Sequence, residues 1–177
     1  MKKTLLLLTL LTTITIAKNN VEIIHGHTLP PEPDPIVNNA TLLGVDSNDN
    51  GVRDDVERAI YKKYDKKLHA LFLMDGAKQF QKVLTQPIEN AKDIEKDISR
   101  TTDCKVYLRR IDSRIKSDEF NYTGYLADVT FNNIERTARY LDFNKALSGG
   151  NYASYPQDWA KHSCSQEVQN QLEEMGL

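Results

Sequence analysis

DSNDNGVRDDVERAIYKKYDKKLHALF, residues 46–72, decides what kind of fold this chain adopts. Its second part carries Val56, Ile60, Tyr64, Leu68, Leu71 and Phe72 at spacings of three and four. That period places apolar side chains on one helical face and predicts a helix from about Asp54 through Phe72. Its first part is different in kind. Residues 46–57 crowd five carboxylates, two amides and one glycine into twelve positions. So many like charges repel unless something neutralises them.

Counted from Asp46 as position 1, the oxygen-bearing residues fall in a register. Asp46, Asn48 and Asn50 stand at positions 1, 3 and 5, Gly51 at 6, Val52 at 7, Asp54 at 9 and Glu57 at 12. A twelve-residue calcium loop needs oxygens at these positions and a glycine at the sixth for its sharp turn. Asp46, Asn48 and Asn50 offer side-chain oxygens and Val52 its carbonyl. Asp54 acts directly or through a water, and Glu57 closes the site with both carboxylate oxygens. Ca2+ is hard and takes six to eight oxygens at about 2.3–2.6 Å. Glu57 lies three residues past Asp54, so a helix starting at Asp54 brings its carboxylate back toward the ion. Asp54 and Asp55 also suit the positive end of a helix dipole. Asp49 and Asp55 occupy non-ligand positions, where they only deepen the local field.

The stretch DSNDNGVRDDVE resembles the calcium loop of EF-hand proteins. It is still more similar to the single-helix variants of secreted bacterial proteins, as in dockerins and thrombospondin-type repeats. TLLGVDSNDNGVRDDVERAI (residues 41–60), with RTARYLDFNKALSGGNY further on (residues 136–152), resembles uncharacterised exported bacterial helical proteins, a likeness extending over residues 41–164. The resemblance implies Ca2+ and no particular activity. Two departures matter. Prolines and NNATLLG precede the loop where a paired EF-hand has an incoming helix, and Arg53 takes position 8, where an apolar residue is usual. No second such loop occurs in the sequence. A lone site with only an exiting helix is therefore expected, without the opening of a helix pair. Three carboxylates and two amides place the affinity near the weak extracellular range, on the order of 10⁻⁴ M.

Outward toward the N-terminus, residues 18–44 hold Pro30, Pro31, Pro33 and Pro35 and read as an extended, non-helical linker or arm. His25 and His27 form an H-x-H pair, better explained as two exposed histidines on that arm than as metal ligands. Residues 1–17 begin with Lys2 and Lys3 and continue as an uncharged apolar run to Ala17. The run is too short to span a bilayer comfortably and reads as a signal peptide, with Thr15 and Ala17 placed for cleavage, the alternative being an uncleaved N-terminal anchor. The expected location is periplasmic or secreted, with no integral membrane segment after cleavage. Loss of two of the 23 basic residues leaves 21 against 25 acidic ones, a balance that gives no reason to expect nucleic acid.

Export also accounts for the cysteines. Cys104 and Cys164 make an even pair and are expected to form one disulfide. A catalytic thiol near His162 or His69 has no activating context in the sequence.

The remainder reads as helix. Thr85 and Pro87 look like a cap and first turn, followed by a stripe of Ile88, Ala91, Ile94 and Ile98 that Cys104, Leu108, Ile111 and Ile115 continue. Breaks are expected at Asp75-Gly76 and Thr101-Thr102. A long helix from Ser117-Asp118 carries Leu126, Val129, Ile134, Ala138, Leu141 and Leu147 and stops at Ser148-Gly149-Gly150. A short helix from Ser165 to Met175 ends the chain. No alternating run argues for a sheet. The expected fold is all-α: a small helical bundle over residues 45–177, preceded by the Pro-rich arm and the calcium loop and stapled by the disulfide.

The aromatics Tyr122, Tyr125, Tyr140, Phe143, Tyr152, Tyr155 and Trp159 are expected to fill the core, with SGGNYASYP (residues 148–156) as the best partner surface. Asn39 and Asn121 sit in glycosylation-type triplets too common to interpret. No hydrolase or phosphate-loop motif occurs, and paired acids such as Asp118-Glu119 suit a helix start. Two functions of different class follow. One is an exported calcium-binding module, the ion a structural clamp, with an unknown protein or cell-envelope partner. The other is a secreted hydrolase or toxin-like effector with dispersed active residues.

Overall fold

The structure is a computed structural model that describes residues 21–111, 122–150 and 160–177. The expected signal segment, the helix start at Ser117-Asp118, Ile115, Asn121, and Tyr152, Tyr155 and Trp159 lie outside the described residues.

The molecule is mostly helical, as expected. A hairpin of β1 (Glu22–Ile24) and β2 (His27–Leu29) leads into the short helix α1 (Pro35–Asn39), then α2 (Asp54–Lys63), α3 (Lys67–Thr85), α4 (Ala91–Ile111), α5 (Tyr122–Thr130), α6 (Ile134–Ala146) and α7 (Gln166–Glu174). α3 is the central element. It buries Leu68, Phe72, Leu73, Phe80, Val83 and Leu84 among others, and α2, α4, α5, α6 and α7 all pack on it. α7 runs antiparallel to α3, with Lys67 at 3.0 Å from Glu174 and Lys78 at 3.8 Å from Glu167. Cys104 of α4 and Cys164, at the start of the last segment, are both buried and joined in the expected disulfide.

Several boundaries differ from the expectation. The arm is structured. His25 and Gly26 both have positive φ, +51° and +81°, which suits a two-residue hairpin turn. The His27 ring stacks on Tyr61 at 4.1 Å. Pro35, expected in extended chain, opens α1 at a position where its missing N–H is no loss, and the Asp34 carboxylate caps the turn by accepting from the backbone N–H of Ile36 (2.8 Å) and Val37 (3.1 Å).

The single helix expected through Phe72 is two. Tyr64 and Lys66 are extended, and Lys62, Lys63, Lys66 and Lys67 surround the break. Ending α2 there puts Lys62 and Lys63 at the negative end of its dipole. Asp75-Gly76 does not interrupt α3, because Gly76 faces α5 and a Cβ there would lie 2.8 Å from Leu126 Cδ1. Thr101-Thr102 does not break α4 either. The Thr101 hydroxyl donates back to the Ile98 carbonyl (2.7 Å), leaving the helix continuous. The stripe expected through Leu147 is split between α5 and α6 by Phe131, Asn132 and Asn133, with Asn133 capping α6. Thr85 ends α3 rather than capping the next helix.

The aromatics of the described residues pack inward. Tyr122 meets Phe72 edge-on at 5.0 Å, and Phe131 stacks on Tyr140 at 4.4 Å beside Phe80.

Candidate metal centre

The acidic stretch folds into a closed loop on the N-terminus of α2. Its ends meet where the Asp54 N–H donates to the Val45 carbonyl at 2.7 Å. Two residues take left-handed backbone, Asp49 at φ +52° and Gly51 at φ +84°, which lets the chain double back within a few residues. Short polar side chains hold that path. Asp46 Oδ1 accepts from the Asn50 N–H (3.2 Å) and its Oδ2 from the Gly51 N–H (2.9 Å). Asn48 Oδ1 accepts from the Asn50 N–H at 3.3 Å, Asn50 Oδ1 from the Val52 N–H at 2.9 Å, and Asp54 Oδ1 from the Ser47 N–H at 3.0 Å.

Glu57 is the convergence point. α2 begins at Asp54, so Glu57 is one turn in, and its carboxylate is buried. Glu57 Oε2 accepts from Asn50 Nδ2 (2.6 Å) and Asn48 Nδ2 (3.2 Å). Burial pushes its carboxyl above the usual range. The two amide donors counter that, while the charges of Asp54 and Asp46 add to the rise. The two arginines nearest in sequence are committed elsewhere, Arg53 to Asp55 and Arg58 to Glu22 and Glu32.

The loop therefore brings Glu57 together with Asn48 and Asn50 and keeps Asp46 and Asp54 within electrostatic reach. It does not gather the acids into a cluster. Among the described residues no three His, Cys, Asp or Glu side chains form a group able to hold a metal. Asp46 and Asp54 accept instead from the backbone N–H groups of the loop. The donor types nevertheless suit a hard cation: three carboxylates, two amides and the Val52 carbonyl. The pair His25 and His27 sits on the hairpin, where His27 is spent on Tyr61.

Behind the loop lies a polar cluster that the sequence reading missed. Arg53, fully buried, donates to Asp55 Oδ1 (2.5 Å), the carbonyls of Val129 (3.0 Å) and Thr130 (3.2 Å), and Asn132 Oδ1 (3.2 Å). Arg136, also fully buried, donates to the carbonyls of Asn38, Thr41 (3.2 Å) and Leu42 (3.2 Å) and to Asn132 Oδ1 (2.8 Å). Asn38 joins the two sides, its Nδ2 donating to Asp55 Oδ2 (3.0 Å) and its Oδ1 accepting from the Val45 N–H (3.0 Å). Asp55 is thus a structural acceptor and not a mere contributor to the field, and Arg53 is buried against the α5–α6 turn. The doublets Asn38-Asn39 and Asn132-Asn133 were the available signal, since asparagine side chains both donate and accept hydrogen bonds. Gly44, at φ +65°, is needed because a Cβ there would fall 2.1 Å from Arg53 Cδ.

On its outer side the loop borders an open groove of about 540 Å³, lined by Asp46 and Gly51 and by Lys78, Gln81 and Lys82 of α3. Comparison of the chain with protein-family models, curated proteins and solved structures finds no match.

Proposed function

We propose that the protein is an exported helical module stabilised by one Ca2+ held by Asp46, Asn48, Asn50, Val52, Asp54 and Glu57. The buried Glu57 carboxylate carries the reading: among the described residues it accepts from two uncharged amides, with Asp46 and Asp54 adding negative charge to its surroundings. A carboxylate so placed is costly without a counter-charge, and a hard cation supplies one. Bound Ca2+ would add positive charge and coordination to a loop whose ends already meet at the Asp54–Val45 hydrogen bond. The disulfide favours an oxidising compartment, periplasmic or extracellular, as does the N-terminal apolar segment. Among the described residues no helix is long and apolar enough to cross a membrane.

The ion acts as a clamp in this reading and not as a catalyst. It fastens the segment before the loop to the helix after it. Calorimetric titration of the chain lacking residues 1–17 with CaCl2 tests the idea. Binding on the order of 10⁻⁴ M is expected, with no heat from folded Glu57→Gln. At ten times the dissociation constant Ca2+ should add about 1.4 kcal/mol of stability. Silence from the unaltered, folded protein overturns the proposal.

A further inference from the structure

The polar cluster behind the loop joins segments far apart in the chain. Arg53 stands between two of the proposed ligands, Val52 and Asp54, and its guanidinium reaches the carbonyls of Val129 and Thr130 and the amide of Asn132. Asp55, next along, accepts from Arg53, Asn38 and Asn132 together. On the other side of the loop, Val45 precedes Asp46 and is held by Asn38, while Arg136 of α6 grips the carbonyls of Asn38, Thr41 and Leu42. Both ends of the loop therefore feed one network, and the α5–α6 turn is its far wall.

From this juxtaposition we infer that cation occupancy of the loop is transmitted to the α5–α6 turn, so that binding near Asp46 orders residues 129–137. The inference rests on the calcium reading above and adds the responding element. The route is short and stiff. A cation that fixes Val52 and Asp54 fixes the backbone on either side of Arg53, whose buried side chain has no room to swing free: Gly44 exists to let it pass. A guanidinium held in a fork of carbonyls and a carboxylate transmits position well, because its donors are planar and directional. When the loop loosens, Arg53 and Asp55 shift and the carbonyls of Val129 and Thr130 lose their donor. Buried carbonyls without a donor are costly, so the turn opens more readily.

Hydrogen exchange read by mass spectrometry tests this, on the disulfide-bonded chain with CaCl2 or with EDTA. Protection of residues 129–137 should rise about tenfold at ten times the dissociation constant and exceed any gain in α7. In Arg53→Met the first turn of α2 should keep its calcium-dependent gain while the gain at 129–137 disappears. Should Arg53→Met fail to fold, Asn132→Ala removes contacts to both Arg53 and Asp55 and should shrink the gain at 129–137. The inference is overturned if calorimetric heat persists while 129–137 gains no more than α7, or if both variants that fold retain the full gain. Absence of calcium heat in the unaltered protein overturns the functional proposal, and the transmission with it.

Discussion

Asp75 is an acidic side chain in surroundings that do not fit its charge. It is buried in α3, and among the described residues its Oδ2 has no hydrogen-bond partner, nor do the amide oxygens of Gln79 and Gln171, also buried. Burial raises its carboxyl above the ordinary 3.8, against the pull of Arg100, Gln79 and Lys78 and with a push from Glu167. The folded chain thus holds this proton more tightly than the unfolded chain. Below the ordinary value the group is neutral in both states and costs nothing. As pH rises from there through the raised folded value, stability is lost. Asp75→Asn keeps the shape, removes the charge and adds a donor, so at neutral pH it should gain roughly 1 kcal/mol, or about 3 °C. Thermal melts from pH 3 to 8 check it: the variant's advantage should be largest near neutrality and fade near pH 3. An advantage independent of pH would assign the effect to packing. Nothing in the sequence around Asp75 announces this, because a lone Asp on a helix reads as solvated. The same blindness hid Arg53 and Arg136. The turn at residues 46–57 was legible because its register is local, contained in twelve adjacent positions. The arginines draw their partners from across the chain, and no local spacing encodes a carbonyl some 77 residues away.

At the scale of elements, the apolar period located helices well and their ends poorly. α7 was placed almost to the residue because Ser165 caps it through the Val168 N–H, a signal contained in four adjacent residues. The break between α2 and α3 was not, since Val56, Ile60 and Leu68 keep one period on both sides of it and are all buried. The hairpin was missed because its strands are three residues each, too short to show alternation, though His-Gly marks the turn. Gly76 was misread for an instructive reason. A glycine within a helix pattern suggests a break when only the helix is considered, but here it serves a neighbour, letting α5 approach α3. Gly76→Ala should expose the competition. Helix propensity favours alanine by about 1 kcal/mol. The new Cβ meets Leu126, itself fully buried, and overpacking costs about 1–3 kcal/mol. A net loss near 1 kcal/mol is expected in urea denaturation. In a Leu126→Ala background the clash is gone, and the same substitution should stabilise. A gain from Gly76→Ala in the parent would mean that α3 and α5 tolerate a wider separation.

At the scale of the molecule, two of the long-range closures among the described residues bear on the loop and on α7. The polar cluster ties residues 38–55 to residues 129–136, and the disulfide ties α4 to the segment leading into α7. Between them lies α3, on which both halves pack. α7 needs its covalent tether. Its apolar contribution is chiefly Val168 and Leu172, and its pairs with Lys67 and Lys78 are exposed and therefore weak. The bridge closes a span of 60 residues, for which chain entropy gives about 4 kcal/mol as an upper figure. Reduction, or the pair Cys104→Ala and Cys164→Ala, should therefore lower stability by up to that amount. The two closures share no residue, so their effects should be independent. Melting the oxidised and reduced protein, each with Ca2+ and with EDTA, checks both points in one set of four measurements. The calcium increment should be the same in the two redox states to within about 0.5 kcal/mol. An increment that vanishes on reduction would show that the tether of α7 is needed to keep the loop in shape, and the two closures would then be one.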